Sequence, residues 1–179
     1  MLTLIEIIVG LGILGLLVMV VYAFLKPTDN TRVVTEEMTQ LKLEGMNDQE
    51  AIFSTQMPLR NSGAEDAAIT DVFARPYLPQ EQFPDAVCWA HVETLHRRRN
   101  DKYFEALILK ARGEVPLIVT LHFEARNGKN IKDVLSKMVD MDAAVYYNGM
   151  ARKAIYIKKD FFTVHRETIM ILVGGKQHD

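Results

Sequence analysis

Residues 2–25 read LTLIEIIVGLGILGLLVMVVYAFL, and Glu6 is the only charged residue among them. From Ile7 to Leu25 there are 19 consecutive residues without a charge. As a helix that rises about 1.5 Å per residue, this stretch reaches about 28 Å, close to the hydrocarbon thickness of a bilayer. The sequence therefore predicts a transmembrane helix over residues 1–26. A carboxylate at the edge of such a span is costly unless a partner compensates it.

The residues around Glu6 resemble a known motif. The run Leu2-Thr3-Leu4-Ile5-Glu6, followed by an uncharged helix, resembles the N-terminus of type IV pilins and type II secretion pseudopilins. In that family the mature chain starts with an apolar residue and carries the glutamate at its fifth position. The resemblance implies that Leu2, Thr3 and Glu6 act in assembly. Glu6 would pair with the N-terminal amine of a neighbouring subunit, because opposite charges attract strongly in a low-dielectric filament core.

The orientation of the predicted span has two interpretations. The family carries a basic leader that ends in glycine, whereas Met1 alone precedes Leu2 here. The nearest basic residues are Lys26 and Arg32, and the positive-inside bias then places the C-terminal domain in the cytoplasm. A basic leader upstream of Met1 would place that domain on the other side of the membrane.

The glycines of the span allow a second interpretation. Gly10, Gly12 and Gly15 fit the pattern G-x-G-x-x-G of dinucleotide-binding βαβ units. The following helix, Leu16 to Leu25, lacks the polar face that a helix covering a sheet should have. The pattern favours instead small residues at which membrane or filament-core helices approach each other closely.

Composition favours one anchor joined to one soluble domain. About 154 of the 179 residues remain after the anchor, enough for one compact domain. The formal net charge of −2 gives no overall attraction to nucleic acid. Cys88 is the single cysteine, so the chain cannot close the internal disulfide that many pilins have. A lone thiol is compatible with either side of a membrane.

An amphipathic continuation of the helix is predicted over residues 27–56. Apolar residues recur near heptad spacing from about Asn30 to Phe53, with charged residues between them. The apolar positions are Val34, Met38, Leu41, Gly45 and Ile52. In pilins the second half of the N-terminal helix lies against a globular head, and the resemblance implies the same arrangement here.

Residues 57–179 are predicted to form that globular head. The expected elements are a linker at Met57–Gly63, a helix at Ala64–Phe73, strands at Ala86–Leu95, Tyr103–Arg112 and Val115–Glu124, a helix at Ile131–Met141, strands at Ala144–Tyr147 and Lys153–Lys158 around an Asn148-Gly149 turn, and a final strand at Thr168–Val173. Together they predict an α+β, pilin-like fold in which a long N-terminal helix packs on an antiparallel sheet.

The sequence presents no convincing catalytic constellation. No serine lies in G-x-S-x-G, no histidine pair forms H-E-x-x-H, and no Cys/His cluster has zinc spacing. Cys88 within a predicted strand is typical of a small buried hydrophobe. Asp140 and Asp142 lack a loop of further oxygen ligands for calcium. We therefore expect no enzymatic activity, no cofactor and no metal site.

Arg97-Arg98-Arg99 is the one concentrated run of charge. It is typical of a solvated hairpin tip between two strands. A functional interpretation is a surface contact with an acidic patch on a neighbouring subunit, or with DNA. Three arginines without interleaved aromatic residues are weak evidence for nucleic acid.

These features predict a structural subunit of a type IV pilus or a related filament. The expected partners are further copies of the chain, inner-membrane lipid before assembly, and the pilus assembly machinery. The subunit would reside in the inner membrane and then in an extracellular filament with a structural or adhesive role. The alternative is a single-pass membrane-anchored protein with a cytoplasmic binding or scaffold domain.

Overall fold

The chain begins as a single apolar helix. A computed structural model describes residues 2–25, 28–99, 101–152 and 154–174, and helix α1 spans Leu2–Leu25. Its stretch Thr3–Ala23 is long and apolar enough to cross a membrane, and none of it is buried. The predicted N-terminal apolar helix is thus confirmed as a helix. Met1, Lys26 and Pro27 lie outside the described residues.

The described residues after α1 form two antiparallel sheets. The strands are β1 Thr31–Val33, β2 Lys42–Met46, β3 Glu50–Asn61, β4 Ala67–Pro76, β5 Ala86–Thr94, β6 Leu107–Leu109, β7 Glu114–Ala125, β8 Met141–Met150 and β9 Ile155–Val164. Sheet A has the order β1-β3-β7-β5, with β2 also pairing with β3, and sheet B has the order β6-β4-β8-β9. A 3-10 turn at Thr35–Glu37 and the helices α2 Ile131–Leu135 and α3 Arg166–Gly174 complete the fold.

One apolar core lies between the sheets. Strand residues alternate between this core and the outside, which buries large side chains from both sheets and from α2. The largest are Tyr147, Phe53, Phe123, Met57, Leu59, Ile69, Leu109, Leu117, Leu121, Ile131, Leu135 and Met138. The predicted antiparallel α+β class is therefore confirmed.

The amphipathic helix predicted over residues 27–56 is wrong. Residues 28–56 form β1, the 3-10 turn, β2 and the first half of β3. In β3 the buried residues Ala51, Phe53, Met57 and Leu59 recur with the period of two that a strand requires. The heptad positions include none of these four residues, and the pairing of β3 with its neighbouring strands selects the alternation.

The linker predicted at Met57–Gly63 is also wrong, because Met57–Asn61 continues β3. Pro58 lies directly opposite Pro116 of β7. The Pro58 carbonyl accepts a hydrogen bond from Val34 N–H, and the Pro116 carbonyl accepts one from Leu95 N–H. Both carbonyls therefore point away from the opposite proline. Neither proline therefore needs an N–H group in the ladder between β3 and β7.

Two further elements have the opposite secondary structure from that predicted. Residues predicted as a helix at Ala64–Phe73 largely form β4, and residues predicted as a strand at Thr168–Val173 lie in α3. In α3 the buried residues Ile169 and Val173 are four apart, which is helical spacing. The β-branched residues of this segment favour a strand locally, but burial of one helical face outweighs this local preference.

Other predictions are confirmed in part. The strands at Ala86–Leu95 and Val115–Glu124 match β5 and β7, whereas the strand at Tyr103–Arg112 shrinks to β6 and the helix at Ile131–Met141 shrinks to α2. The Asn148-Gly149 pair is not a turn but lies within β8, and Lys153 lies outside the described residues. Gly149 leaves room for the Tyr156 ring, which packs against the position that a Cβ would occupy.

Candidate functional site

We call the two sheets with α2 and α3 the β domain. The chain enters this domain along the edge of sheet B. The Tyr156 hydroxyl donates to Asp29 Oδ2 at 2.6 Å, and the Lys158 ammonium donates to the Thr31 carbonyl at 3.0 Å. We call residues 29–33 and the β8 and β9 side chains that bind them the tether edge. It fixes the start of the domain only a few residues after α1 ends.

The buried Tyr147 and the half-buried Asp160 complete the tether edge. Asp160 Oδ2 accepts from Val33 N–H at 2.9 Å and from the Tyr147 hydroxyl at 3.1 Å, and the same hydroxyl lies 3.1 Å from the Thr31 carbonyl. Burial raises the pKa of Tyr147 above its usual range, and burial also raises the pKa of Tyr156 to about 12. Both phenols therefore remain neutral donors at physiological pH.

Gly63 makes the close approach at the tether edge possible. A Cβ on Gly63 would lie 2.3 Å from the Thr28 carbonyl oxygen and 2.5 Å from Asn30 N. Ala64 N–H also donates to that Thr28 oxygen at 3.2 Å. The loop after β3 thus holds the first residues of the domain by backbone contact.

The predicted assembly residues all lie on α1. Leu2 is the first residue of the helix, and Thr3 and Glu6 are exposed. The positions predicted for helix packing, namely Gly10, Gly12 and Gly15, have no atom of the described chain within 4 Å of a Cβ built on them. The single chain leaves these surfaces open, as either a lipid-exposed or a filament-core helix requires.

The arginine run of the sequence is paired within the domain. Arg97 lies 3.6 Å from Glu105, Arg98 lies 3.5 Å from Glu93, and Arg99 binds Asp101 at 2.5 Å. These pairs reduce the charge that the predicted surface contact could offer to DNA or to an acidic patch. Arg98 and Arg99 instead border a pocket.

This pocket lies on the outer face of sheet A, beneath the loop after β5. It has a volume of about 390 Å³. Its lining consists of Ile52, His91, Glu93, Arg98, Arg99, Lys102, Thr120 and His122. We call it the imidazole pocket, because its two histidines lie on neighbouring strands with ring centroids 5.1 Å apart.

Three buried polar atoms of the imidazole pocket have no hydrogen-bond partner among the described residues. They are His91 Nδ1, His122 Nε2 and Thr120 Oγ1. The other ring nitrogen of each histidine faces a carboxylate: His122 Nδ1 is 3.2 Å from Glu50, and His91 Nε2 is 3.5 Å from Glu93. A carboxylate holds the proton on the nitrogen that it faces, so the free nitrogens carry lone pairs and can accept hydrogen bonds.

Burial keeps these imidazoles neutral. It lowers the pKa of His122, and the hydrogen bond to Glu50 opposes this only in part. Burial and the neighbouring His122 likewise lower the pKa of His91. The Trp89 ring stacks on His122 with centroids 3.7 Å apart, and Lys102 lies 5.1 Å from the Trp89 ring. The pocket thus combines lone-pair acceptors with cations at its rim.

The chemistry of the pocket describes the kind of ligand that would complement it. Among the described residues, no group of three or more His, Cys, Asp or Glu side chains could hold a metal ion. Cys88 packs against the core, and burial raises the pKa of its thiol far above its usual range. A ligand with hydroxyl donors and an anionic group would complement the lone pairs and the rim cations.

Sequence reasoning missed the imidazole pocket. Its signal was the alternation of polar residues on one face of two paired strands: His91 and Glu93 on β5, and Thr120 and His122 on β7. His91 lies directly opposite Thr120 in the register. Because such pairs become neighbours only once the register is known, motif spacing along the chain could not bring them together.

Comparisons with known proteins do not show a family. No protein-family model and no curated protein matches the chain. Solved structures with some similarity include the GAE domain of GGA2p from Saccharomyces cerevisiae (8% identity, TM-score 0.36, 76% of this chain and 99% of that chain covered). A protein from Archaeoglobus fulgidus gives 7% identity, a TM-score of 0.36 and coverage of 75% and 98%. The yeast GGA1 GAE domain gives 9%, 0.31, 70% and 98%. At these scores none supports an argument about function.

Proposed function

We propose that this chain is a single-pass membrane-anchored protein whose β domain is a binding module held close to the bilayer. The observation that carries the proposal is α1, in which Thr3–Ala23 is apolar and exposed along its whole length. Exposing such a surface to water is strongly unfavourable, whereas lipid accommodates it. In addition, the helix gives way to strands soon after Leu25, so its length matches one span rather than a support for the head.

Alkaline carbonate extraction of membranes tests the anchor. We expect the full chain to stay in the membrane pellet. The double substitution Leu14→Lys and Val18→Lys should release it, because each central lysine costs about 2.5–3.5 kcal/mol on insertion. Ile171→Lys places the same charge on the exposed face of α3 and should leave the protein in the pellet. A soluble full chain would refute the anchor.

The imidazole pocket is the proposed ligand site of the binding module. Unpartnered buried atoms lower stability, and a ligand that donates to His91 Nδ1 and His122 Nε2 would relieve this cost. Lys102 at the rim favours an anionic group on the same molecule. These requirements together describe a small hydroxylated anion, such as a sugar acid.

Fluorescence of Trp89, the single tryptophan, reports on this pocket because its ring stacks on His122. We expect gluconate to change the emission at concentrations at which hexanoate, of equal carbon number but without hydroxyl groups, does not. The Thr120→Val variant should weaken the response to gluconate. Equal responses to the two anions would refute the proposed ligand class.

A filament subunit is the second candidate, and Glu6 is the observation that favours it. The side chain is exposed on an apolar helix, so in lipid or in a filament core it needs a cationic partner. The N-terminal amine of a neighbouring copy would supply one. Such a subunit would leave the inner membrane for an extracellular filament with the help of an assembly machinery.

Electron microscopy of purified protein tests this second candidate. Filaments with residues 2–25 bundled at the axis, lost in Glu6→Gln, would support it over the anchored module. Individual molecules in lipid, unchanged by Glu6→Gln, would support the anchored module instead.

A further inference from the structure

An exposed apolar row crosses the outer face of sheet B. Four residues stand side by side in the register, one from each strand: Ile108 on β6, Ala68 on β4, Met150 on β8 and Ile155 on β9. Ile155 is 80% exposed, Ile108 63% and Met150 47%. Ile157, the next residue of β9 on this face, is 71% exposed. We call Ile108, Met150, Ile155 and Ile157 the apolar row.

The apolar row lies at the end of the domain where the chain arrives from α1. Ile155 and Ile157 flank Tyr156, whose hydroxyl binds Asp29 at 2.6 Å. Asp29 follows Leu25, the last residue of α1, by four residues. Four residues reach at most about 14 Å even when fully extended. If α1 spans a bilayer, the apolar row therefore lies near its surface.

Charge at this end of the domain is largely balanced. Arg152 lies 3.4 Å from Glu65, and Lys110 lies 2.9 Å from Asp66. Attraction to anionic lipid is therefore not the main expected force. The main expected force is burial of apolar surface in the interfacial zone of the bilayer, because isoleucine and methionine side chains leave water favourably.

We propose that the apolar row dips into the headgroup and acyl-chain boundary of the bilayer that α1 spans, and so holds the β domain in one orientation against the membrane. This inference rests on the proposed anchor. The imidazole pocket belongs to sheet A, so docking through the outer face of sheet B leaves the pocket open to solution.

Quenching by lipids brominated on their acyl chains tests the docking in the full chain. In a Cys88→Ala background, single cysteines at Ile155, Leu14 and Met46 carry an environment-sensitive fluorophore. Met46 is the exposed control, because it pairs with Ala51 at the other end of β3, ten residues or about 33 Å from Asn61. We expect strong quenching at Leu14, clear quenching at Ile155 and little at Met46, in both low and high salt.

The outcomes separate the two proposals. No quenching at Leu14 would refute the anchor. Quenching at Leu14 with Ile155 no higher than Met46 would refute the docking and leave the anchor intact. A blue-shifted but unquenched probe at Ile155 would overturn the docking in favour of contact with a second copy.

A second variant pair tests whether the apolar row acts as a unit. With the probe at Ile108, the substitution Ile155→Asp should reduce quenching at least twofold, because it places a charge in the same row. Phe161→Asp lies on the same face of β9, three positions of that face beyond Ile155, and should leave quenching unchanged. Equal effects of the two substitutions would contradict docking through this row.

Discussion

At the tether edge, the buried Tyr147 hydroxyl has two acceptors at 3.1 Å, whereas the buried Thr120 hydroxyl of the imidazole pocket has no partner among the described residues. Both groups are removed from water, yet only the first is compensated. Satisfied buried groups stabilise a fold, and unsatisfied ones reduce its stability. The contrast is consistent with a structural role for the tether edge and with the binding role proposed for the pocket.

Removing the acceptor at the centre of the tether edge should have the largest effect on stability. Asp160→Ala leaves Val33 N–H without its partner and deprives Tyr147 of one acceptor. We expect the free energy of unfolding to fall by about 2–3 kcal/mol. Urea unfolding in detergent, followed by Trp89 fluorescence, measures it. Asp71→Ala, on the outer face of sheet B, is the control and should change stability by less than about 0.5 kcal/mol.

The second-largest expected loss of stability comes from the close backbone contact at Gly63. Gly63→Ala forces a Cβ against the backbone of Thr28 and Asn30, and should cost about 1–3 kcal/mol of unfolding free energy. Gly45→Ala is the matched control, because no atom of the described chain lies within 4 Å of its Cβ position. The same urea titration compares them. Similar values for both variants would contradict a tight approach at the tether edge.

Replacing one threonine whose hydroxyl is hydrogen-bonded and one whose hydroxyl is unpartnered should change stability in opposite directions. Thr55 Oγ1 donates to the Thr39 carbonyl at 2.7 Å, so Thr55→Val should destabilise the domain by about 1 kcal/mol. Thr120→Val removes an unpartnered hydroxyl and should stabilise it by about 1 kcal/mol. Both substitutions keep a β-branched side chain in a strand. If Thr120→Val is as costly as Thr55→Val, the pocket is not a site of unmet hydrogen bonds.

The smallest predicted effect is the response of the pocket to pH. Burial lowers the pKa of His122, so its protonation, read as quenching of Trp89 emission, should have a midpoint below the ordinary histidine value of about 6.5. The change should disappear in His122→Gln. A midpoint at or above the ordinary value would show that the ring is charged or solvated.

The free energy of unfolding should also depend on pH and should decrease as the pH falls. Because the pKa values of His91 and His122 are lower in the folded state, the unfolded chain binds more protons in this range. The stability that the two histidines contribute is fully present above their unfolded-state pKa of about 6.5, and it is lost as the pH falls through their folded-state pKa values. Urea unfolding at pH 7 and pH 5 should show this loss, and His91→Gln with His122→Gln should reduce it.

The sequence was most informative where a single local property decides the structure. The uncharged run after Glu6 predicts α1, and β5 and β7 follow from their apolar, β-branched composition. It was least informative where pairing decides. The segment 30–53 carries spacing compatible with both a helix and a strand, and the pairing of β1 and β2 with β3, and of β3 with β7, resolves it. Local propensity misjudged α3 for the same reason, because burial against the core selects one helical face.

The candidate sites differ in the same way. Glu6 and the arginine run stand out in the sequence because they are unusual in composition, but neither reveals its partners. The imidazole pocket and the apolar row each arise from residues on several strands. These residues lie up to 70 positions apart in the pocket, from Ile52 to His122, and up to 49 in the apolar row, from Ile108 to Ile157. Only the pairing of strands makes them continuous surfaces.

Photo-cross-linking in vesicles tests most directly the claim that an exposed apolar helix anchors a separate β domain. The full chain is reconstituted with lipids that carry a photoreactive group in the acyl chain, and mass spectrometry locates the cross-links. We predict abundant cross-links within residues 2–25, fewer at Ile155 and Ile157, and none around His122. Their absence from residues 2–25, or an even distribution over the β domain, would contradict the account.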